Sequence, residues 1–272
     1  MKSLLHFTTI VIFISIIQAL FSIPIQASAE AISVSARAAI VYSPADNRII
    51  YSKEPYLRLP MASTTKIMTA LIAIENLQDD EMIVIPDEAT GIEGSSIYLK
   101  TGESLSAQDL LYSLMLRSAN DAAEALAYAV SSDIYEFSNL MNARAEELGL
   151  ENTHFDNPHG LDSENHYTTA YDLAIISANA LRNERFKQIC STLKYRFSTE
   201  GGERIVTNHN KLLNSYDGAI GIKTGYTKKC GRCLVSAAER NGLTLICVTL
   251  NAPNDWTDHK KLLDYGFSIY NL

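Results

Sequence analysis

Ser63 and Lys66 stand three residues apart in Ser63-Thr64-Thr65-Lys66, at the head of an apolar run that includes Ile67, Met68, Leu71 and Ile72. On a helix this spacing puts a hydroxyl and an amine on one face within about a turn. A serine hydroxyl is a weak nucleophile until a neighbouring base takes its proton. A lysine is such a base once burial or a second cation lowers its pKa. Alone, Ser-x-x-Lys is too common to carry weight. Two later segments add what it lacks. Ser118-Ala119-Asn120 offers a second hydroxyl and an amide, and Lys223-Thr224-Gly225 a second amine, a hydroxyl donor and a glycine. Two lysines in one cleft disfavour each other's charged form. Lys223 with Thr224 suits a carboxylate, a point charge beside a hydroxyl. Gly225 lets a strand edge approach a ligand closely.

The three segments, in this order, are the signature of penicillin-binding proteins and class A β-lactamases. Longer stretches agree: Pro60-Met61-Ala62-Ser63-Thr64-Thr65-Lys66-Ile67-Met68-Thr69-Ala70, Asn157-Pro158-His159-Gly160-Leu161 and Gly221-Ile222-Lys223-Thr224-Gly225-Tyr226-Thr227. From about Ala38 to the C-terminus the chain resembles the low-molecular-mass penicillin-binding proteins, the serine D-alanyl-D-alanine carboxypeptidases. The resemblance implies that Ser63 attacks the carbonyl between two terminal D-alanines and that Lys66 accepts its proton. Ser118 would relay the proton to the leaving amine. Asn120 would hold the substrate backbone and the Lys66 ammonium, and Lys223, Thr224 and Gly225 would receive the substrate's carboxylate end. The implied oxyanion hole is the backbone N–H of Ser63 and of Tyr226. No metal or cofactor is implied. The implied partners are peptidoglycan stem peptides ending in D-Ala-D-Ala, with β-lactams as covalent inhibitors.

The chain departs from the family pattern in places. Ala119 stands where these carboxypeptidases usually have glycine. His209, within Asn208-His209-Asn210, and Thr244 occupy places where some members carry an arginine near the substrate. Many relatives continue into a small β-rich domain and an amphipathic membrane-surface helix. The expectation here is one catalytic domain over 30–272 with neither.

Other residues compete for the same roles. A second Lys-Thr-Gly, Lys100-Thr101-Gly102, precedes Ser118 and is out of order, so it reads as a surface loop. His159, with Asp156 or Asp162, invites a Ser-His-Asp triad. No Gly-x-Ser-x-Gly elbow surrounds Ser63, however, and Lys66 already fills the base role, so His159 reads as a cleft wall. Class A β-lactamases use a glutamate to position the hydrolytic water. The candidates after Ser118 are Glu146, Glu147 and Glu151, at the end of an amphipathic helix and in the turn beyond it.

Cys190, Cys230, Cys233 and Cys247 are an even number of cysteines. Cys230-Gly231-Arg232-Cys233 has the spacing of a redox pair or half a zinc site, and no second pair completes the zinc site. A structural role and a local bridge both remain open.

Residues 1–29 read as an export signal: Lys2, an apolar run from about Phe7 to Ile23, then Ala27-Ser28-Ala29 as a cleavage site. An uncleaved anchor is the competing reading. Cleavage leaves 243 of the 272 residues, enough for a sizeable core. The formal charge of −8 becomes −9 once Lys2 is lost, which argues against nucleic acid as a partner. The expected location is the extracytoplasmic space.

The elements that must position these groups follow from pattern. A hairpin is expected from Ala38–Tyr42 and Ile49–Ser52 around Pro44-Ala45-Asp46-Asn47. The nucleophile helix comes next, then a loop-rich stretch from Ile85 to Ser104. A helix capped at Ser106 ends near Ser118, and others run from Asp121 to Ala129 and from Ile134 to Leu148. The last of these turns Phe137, Leu140 and Met141 inward and stops at Gly149. Thr169 with Asp172 opens a helix to about Leu181, which makes Asp172 a cap residue rather than a site residue. Five short strands follow, at Tyr195–Thr199, Arg204–Asn208, Ala219–Lys223, Cys233–Ala237 and Thr244–Leu250, the last two joined by Asn241-Gly242. A final helix spans Thr257–Tyr270. The sum is a mixed α/β fold, a transpeptidase- and β-lactamase-like antiparallel sheet packed with helices.

The expected activity is serine D,D-carboxypeptidase. The rivals are a D,D-endopeptidase on the same site, a class A-like β-lactamase and a catalytically idle peptidoglycan-binding protein.

Overall fold

The computed structural model describes residues 32–131 and 133–272. The expected export signal at 1–29 lies outside the described residues. A central antiparallel sheet contains β1 (Ala38–Ser43), β2 (Arg48–Lys53), β7 (Ala219–Thr227), β8 (Gly231–Arg240) and β9 (Leu243–Leu250), in the order β2-β1-β9-β8-β7. The N-terminal hairpin therefore joins the sheet built from the chain's far end, through β1 against β9 (Ile40 opposite Val248). Asn241 and Gly242, both at positive φ, turn β8 into β9 as their types require.

Strands β1, β8 and β9 are buried on both faces, and the alternation along β1 and β9 says by what. Ala38, Ile40, Tyr42, Ile246, Val248 and Leu250 belong to the large core shared with the helices. Their alternate neighbours face helix α7 (Asp255–Ile269). A Cβ on Gly266 would meet Leu245 and Val41, and the buried His259 bridges Ser236 and Thr249. That ring is an apolar-side spacer: burial pushes its pKa down to about 3, so it stays neutral.

On the other face lie α1 (Lys66–Asn76), α2 (Ala107–Tyr112), α3 (Asn120–Val130), α4 (Ile134–Glu147), α5 (Ala170–Ala180) and α6 (Glu184–Ser191). Helix α1 is buried from Lys66 through Ile74, the profile of a helix packed all round rather than along one stripe. The caps anticipated from sequence form: Ser106 accepts from Asp109 N, and Thr169 from Asp172 N. Asp172 spends its carboxylate on Thr153 Oγ1 (2.8 Å) and Asn152 N (3.2 Å), a structural tie.

Four features differ from expectation. Leu140 is 43 % exposed, because the inward face of α4 is made by Phe137, Ser138, Met141 and Ala145. Helix α6, with Asn183 as its cap, was not foreseen. Strands β3 (Met82–Val84) and β4 (Ser104–Ser106) form a short ribbon around the loop-rich stretch. Strands β5 (Lys194–Thr199) and β6 (Gly202–Thr207) pair only with each other, as a two-stranded flap outside the main sheet. Local alternation identifies strands but not which sheet takes them.

Candidate active site

Ser63 lies on a short 3-10 turn, Ala62–Thr65, that runs directly into α1. Ala62 before it has φ +48°, and Ser118 has φ +63°. Non-glycine residues in this left-handed region cost of order 1–3 kcal/mol each and persist where the surroundings over-determine them. Here both flank or carry a serine of the site. Gly160, at φ +89°, presses on the same turn. A Cβ there would lie 2.0 Å from Ala62 O, so only glycine fits.

Lys66 follows on the first turn of α1 and is fully buried. Its Nζ reaches Ser63 Oγ at 3.1 Å, Asn120 Oδ1 at 2.7 Å and the His159 carbonyl at 2.5 Å. Two of these partners are pure acceptors. A neutral amine has two N–H groups and one lone pair, so Asn120 and His159 take both hydrogens and the lone pair is left to Ser63. The Asn120 amide is held with its oxygen toward Lys66, because Nδ2 donates to Glu93 O at 2.5 Å. Burial lowers the Lys66 pKa well below the ordinary lysine value, and the nearby Lys223 lowers it further.

Ser118 closes the helical stretch Ala107–Arg117, whose last five residues form a π-turn, a local widening common at functional sites. Its Oγ accepts from Lys223 Nζ at 3.1 Å, and the same Nζ also donates to Thr224 O at 2.9 Å. Burial pushes Lys223 down to about 7. Strand β7, which carries Lys223, Thr224, Gly225 and Tyr226, is the edge of the sheet, with β8 on one side only. Its free edge faces the turn of Ser63. A Cβ on Gly225 would stand 3.1 Å from both Ser63 N and Met61 O.

Ser63, Ser118, Thr224, Gly225, Tyr226 and His209 line one cleft of about 570 Å³, within the usual range of small-molecule sites. The residues of the three motifs thus meet around one space, with Lys66, Asn120 and Lys223 buried beneath it. Lys100-Thr101-Gly102 lies elsewhere, an exposed turn with Thr101 Oγ1 bonded to Asp87.

Thr244 does not reach the cleft. It pairs with Glu239 at the far end of the β8–β9 hairpin, six residues along the sheet from the level of Gly225. At 3.3 Å per residue that is roughly 20 Å away. His209 does line the cleft, with Arg117 Nη1 3.2 Å from its Nε2. The cations there that the sequence analysis missed are Lys211 and Arg232, alongside Asp255 and Trp256. They come from three separate elements, and no local pattern joins them.

Glu124 was missed as well. Its Oε1 lies 3.0 Å from His159 Nε2, and both side chains are buried. Leu161 N donates to His159 Nδ1 at 3.1 Å, so Nδ1 carries the lone pair and Nε2 the hydrogen that Glu124 accepts. Burial lowers the His159 pKa, and the ring is held neutral. The visible signal was a glutamate four residues after Asn120, within the alanine-rich run Ala122–Ala129.

A serine hydroxyl held against a buried lysine amine, beside the open edge of an antiparallel sheet, defines a class of serine hydrolase whose base is an amine. Residues 25–254 match the family of D-alanyl-D-alanine carboxypeptidases, the S11 peptidases. The chain belongs to this family, whose activity is that of a serine-type D,D-carboxypeptidase.

Among curated relatives, the D-alanyl-D-alanine carboxypeptidase DacF of Bacillus subtilis is 33% identical over 86% of this chain and 63% of its own length. The D-alanyl-D-alanine carboxypeptidase of Streptomyces strain K15 is 37% identical over 81% of this chain and 83% of its own. The chain thus spans under two thirds of the first relative and most of the second. The crystal structure of the Streptomyces K15 DD-transpeptidase superposes with a TM-score of 0.82 at 34% identity, covering 87% of this chain and 98% of that one. A penicillin-binding protein homologue from Mycobacterium tuberculosis gives 0.83 at 31% identity, covering 88% and 95%.

Proposed function

We propose that this chain removes the terminal D-alanine from peptidoglycan stem peptides through an acyl-enzyme on Ser63. The observation that carries the reading is the buried Lys66 amine, with both hydrogens engaged elsewhere and 3.1 Å from Ser63 Oγ. The neutral amine takes the Ser63 proton as Oγ attacks the carbonyl of the penultimate D-alanine. The developing oxyanion meets the backbone N–H groups of Ser63 and Tyr226, each such donor supplying about 3 kcal/mol in comparable sites. The peptide lies along the open edge of β7 as an added strand, with its terminal carboxylate against Lys223 and Thr224. Collapse of the tetrahedral intermediate expels D-alanine, whose amine is protonated through Ser118. Water then cleaves the Ser63 ester with Lys66 again taking a proton.

β-Lactams carry a strained amide in the place of that D-Ala-D-Ala bond and acylate the same oxygen. No metal or cofactor enters these steps. The reaction belongs outside the cytoplasmic membrane, where the polymer lies, in keeping with the leader-like residues at 1–29. Among the described residues no helix is long and apolar enough to cross a membrane.

The test is incubation with diacyl-Lys-D-Ala-D-Ala and measurement of free D-alanine. Release at a rate that depends on Ser63 is expected. Absence of release with cleavage of cross-linked muropeptides would make the protein an endopeptidase. Absence of both, with no labelling by fluorescent penicillin, would make it a binding protein.

A further inference from the structure

Cys230 ends the turn from β7 into β8 and Cys233 lies near the start of β8, and their sulfurs are 3.1 Å apart. Both are buried. Cys230 Sγ donates to Pro60 O at 3.0 Å, and Cys233 Sγ lies 3.9 Å from the same oxygen. Among the described residues no main-chain N–H bonds that carbonyl. The two thiols therefore satisfy the carbonyl that begins Pro60-Met61-Ala62-Ser63, the segment leading to the nucleophile. Cys233 also stands opposite Gly225 in the β7–β8 register. The turn is tied as well to the segment that follows His159: Cys230 N donates to Thr227 Oγ1, which donates to Asp162 Oδ1. The other two cysteines, Cys190 on α6 and Cys247 on β9, lie on separate elements.

We propose that Cys230 and Cys233 are a redox modification site, a dithiol that closes to an intramolecular disulfide and slows acylation at Ser63. The oxidant is a disulfide, on a protein or a small molecule. In the closed turn the Cys233 hydrogen bond and burial push the Cys230 thiol up. It ionises only when the turn opens to water, and the thiolate formed there attacks one of the oxidant's sulfurs and expels one thiol. The Cys233 thiolate then displaces the second from the mixed disulfide. The protein loses two electrons and two protons, and the oxidant leaves as two thiols. Closing the bond moves the sulfurs about 1 Å nearer, to the 2.05 Å of a disulfide. Access comes by local opening of the turn, whose Lys228 and Lys229 are exposed.

Closure removes both S–H donors from Pro60 O. Leaving this part-buried carbonyl without a donor costs free energy, so it shifts toward another one. That shift displaces the segment that aligns Ser63 with the edge of β7. The reduced protein is therefore the faster form.

The rate arm of the test rests on the Ser63 acyl-enzyme, and the mass arm does not. The purified protein is incubated with oxidised glutathione, the free thiols are alkylated, and the protein is digested. The expected product is lighter by two hydrogens, with one cross-link mapped to Cys230 and Cys233. Its acylation by benzylpenicillin should be slower by about tenfold, the scale of one lost buried hydrogen bond, and dithiothreitol should restore it. The double variant Cys230→Ser with Cys233→Ser keeps two O–H donors. It should acylate at the reduced rate and ignore glutathione. A glutathione adduct that persists without the cross-link overturns the proposal. So does a cross-linked protein that acylates as fast as the reduced one, or a double variant that glutathione still slows. If no form is acylated, the Ser63 reading fails, while the mapped cross-link still decides the thiol chemistry.

Discussion

Lys66 and Lys223 reach one cleft from a helix and from a strand, and each ends 3.1 Å from a different serine hydroxyl, Ser63 for the first and Ser118 for the second. Both ammonium positions are buried, and burial lowers both pKa values. In the proposed reaction the pair divides work that a single lysine could not do. One amine must be neutral to accept a proton, while the other must be charged to hold a carboxylate.

That division has a pH signature. Lys223 is pushed down to about 7 in the empty cleft. Below that pH it is already cationic, and a carboxylate binds without proton uptake. Above it, binding must draw a proton from solvent, so affinity falls by up to about tenfold per pH unit. The KM for a peptide ending in a free D-Ala carboxylate should therefore rise between pH 7 and pH 9. The KM for the corresponding C-terminal amide should stay flat. Parallel profiles for the two substrates would remove Lys223 as the partner of the carboxylate.

The Glu124–His159 pair should act on rate through Lys66. Glu124 fixes the His159 ring, and the His159 carbonyl takes one of the two Lys66 hydrogens. Glu124→Leu leaves a buried N–H without an acceptor, at a cost of about 1–3 kcal/mol. It should lower kcat for D-alanine release by about tenfold with little change in KM. Glu124→Gln keeps an acceptor oxygen and should recover most of the rate. Equal loss in both variants, tracking a drop in Tm, would mean that the pair only supports the fold.

Ser63→Ala should abolish both D-alanine release and β-lactam adduct formation. Lys100→Ala should leave both nearly intact, since Lys100-Thr101-Gly102 is an exposed turn outside the cleft. Adduct formation in the first variant, seen by intact mass, or its loss in the second would show that the nucleophile or the Lys-Thr-Gly segment lies elsewhere.

The penicillin adduct should persist for minutes or longer, so that the protein is blocked by β-lactams rather than destroying them. The deacylating glutamate of class A β-lactamases has no counterpart among the candidates after Ser118. Glu147 sits on α4 with Arg144 Nε at 3.4 Å, and Glu151 is exposed beyond the end of that helix. Glu124, a buried carboxylate near the site, is engaged with His159. Intact mass spectrometry after mixing with benzylpenicillin reads the lifetime. Turnover of hundreds per second with no trapped adduct would make the protein a β-lactamase.

Much of this was legible in the chain because the chemistry is local. Ser63 and Lys66 are one helical turn apart, and Lys223, Thr224 and Gly225 are consecutive on one strand. Caps at Ser106 and Thr169 and the Asn241-Gly242 turn depend only on their neighbours in sequence, and all three formed. Sheet membership was another matter. Strands β5 and β6 have the alternation of any hairpin, yet pair only with each other.

What the sequence by itself determined was therefore the set of reactive groups and the local elements that carry them, since spacing and side-chain type act within a few residues. What only the tertiary structure decided was how those groups are charged and aimed. The orientation of the Lys66 amine depends on Asn120, 54 positions away, and on the carbonyl of His159, 93 positions away. Its lowered pKa depends on complete burial and on Lys223 arriving from the other end of the chain. The cleft wall of Lys211, Arg232, Asp255 and Trp256, and the contact between two cysteines and Pro60, arise in the same way. Desolvation and hydrogen-bond geometry are properties of what surrounds a group, and the surroundings of these residues are built from segments that no local pattern connects.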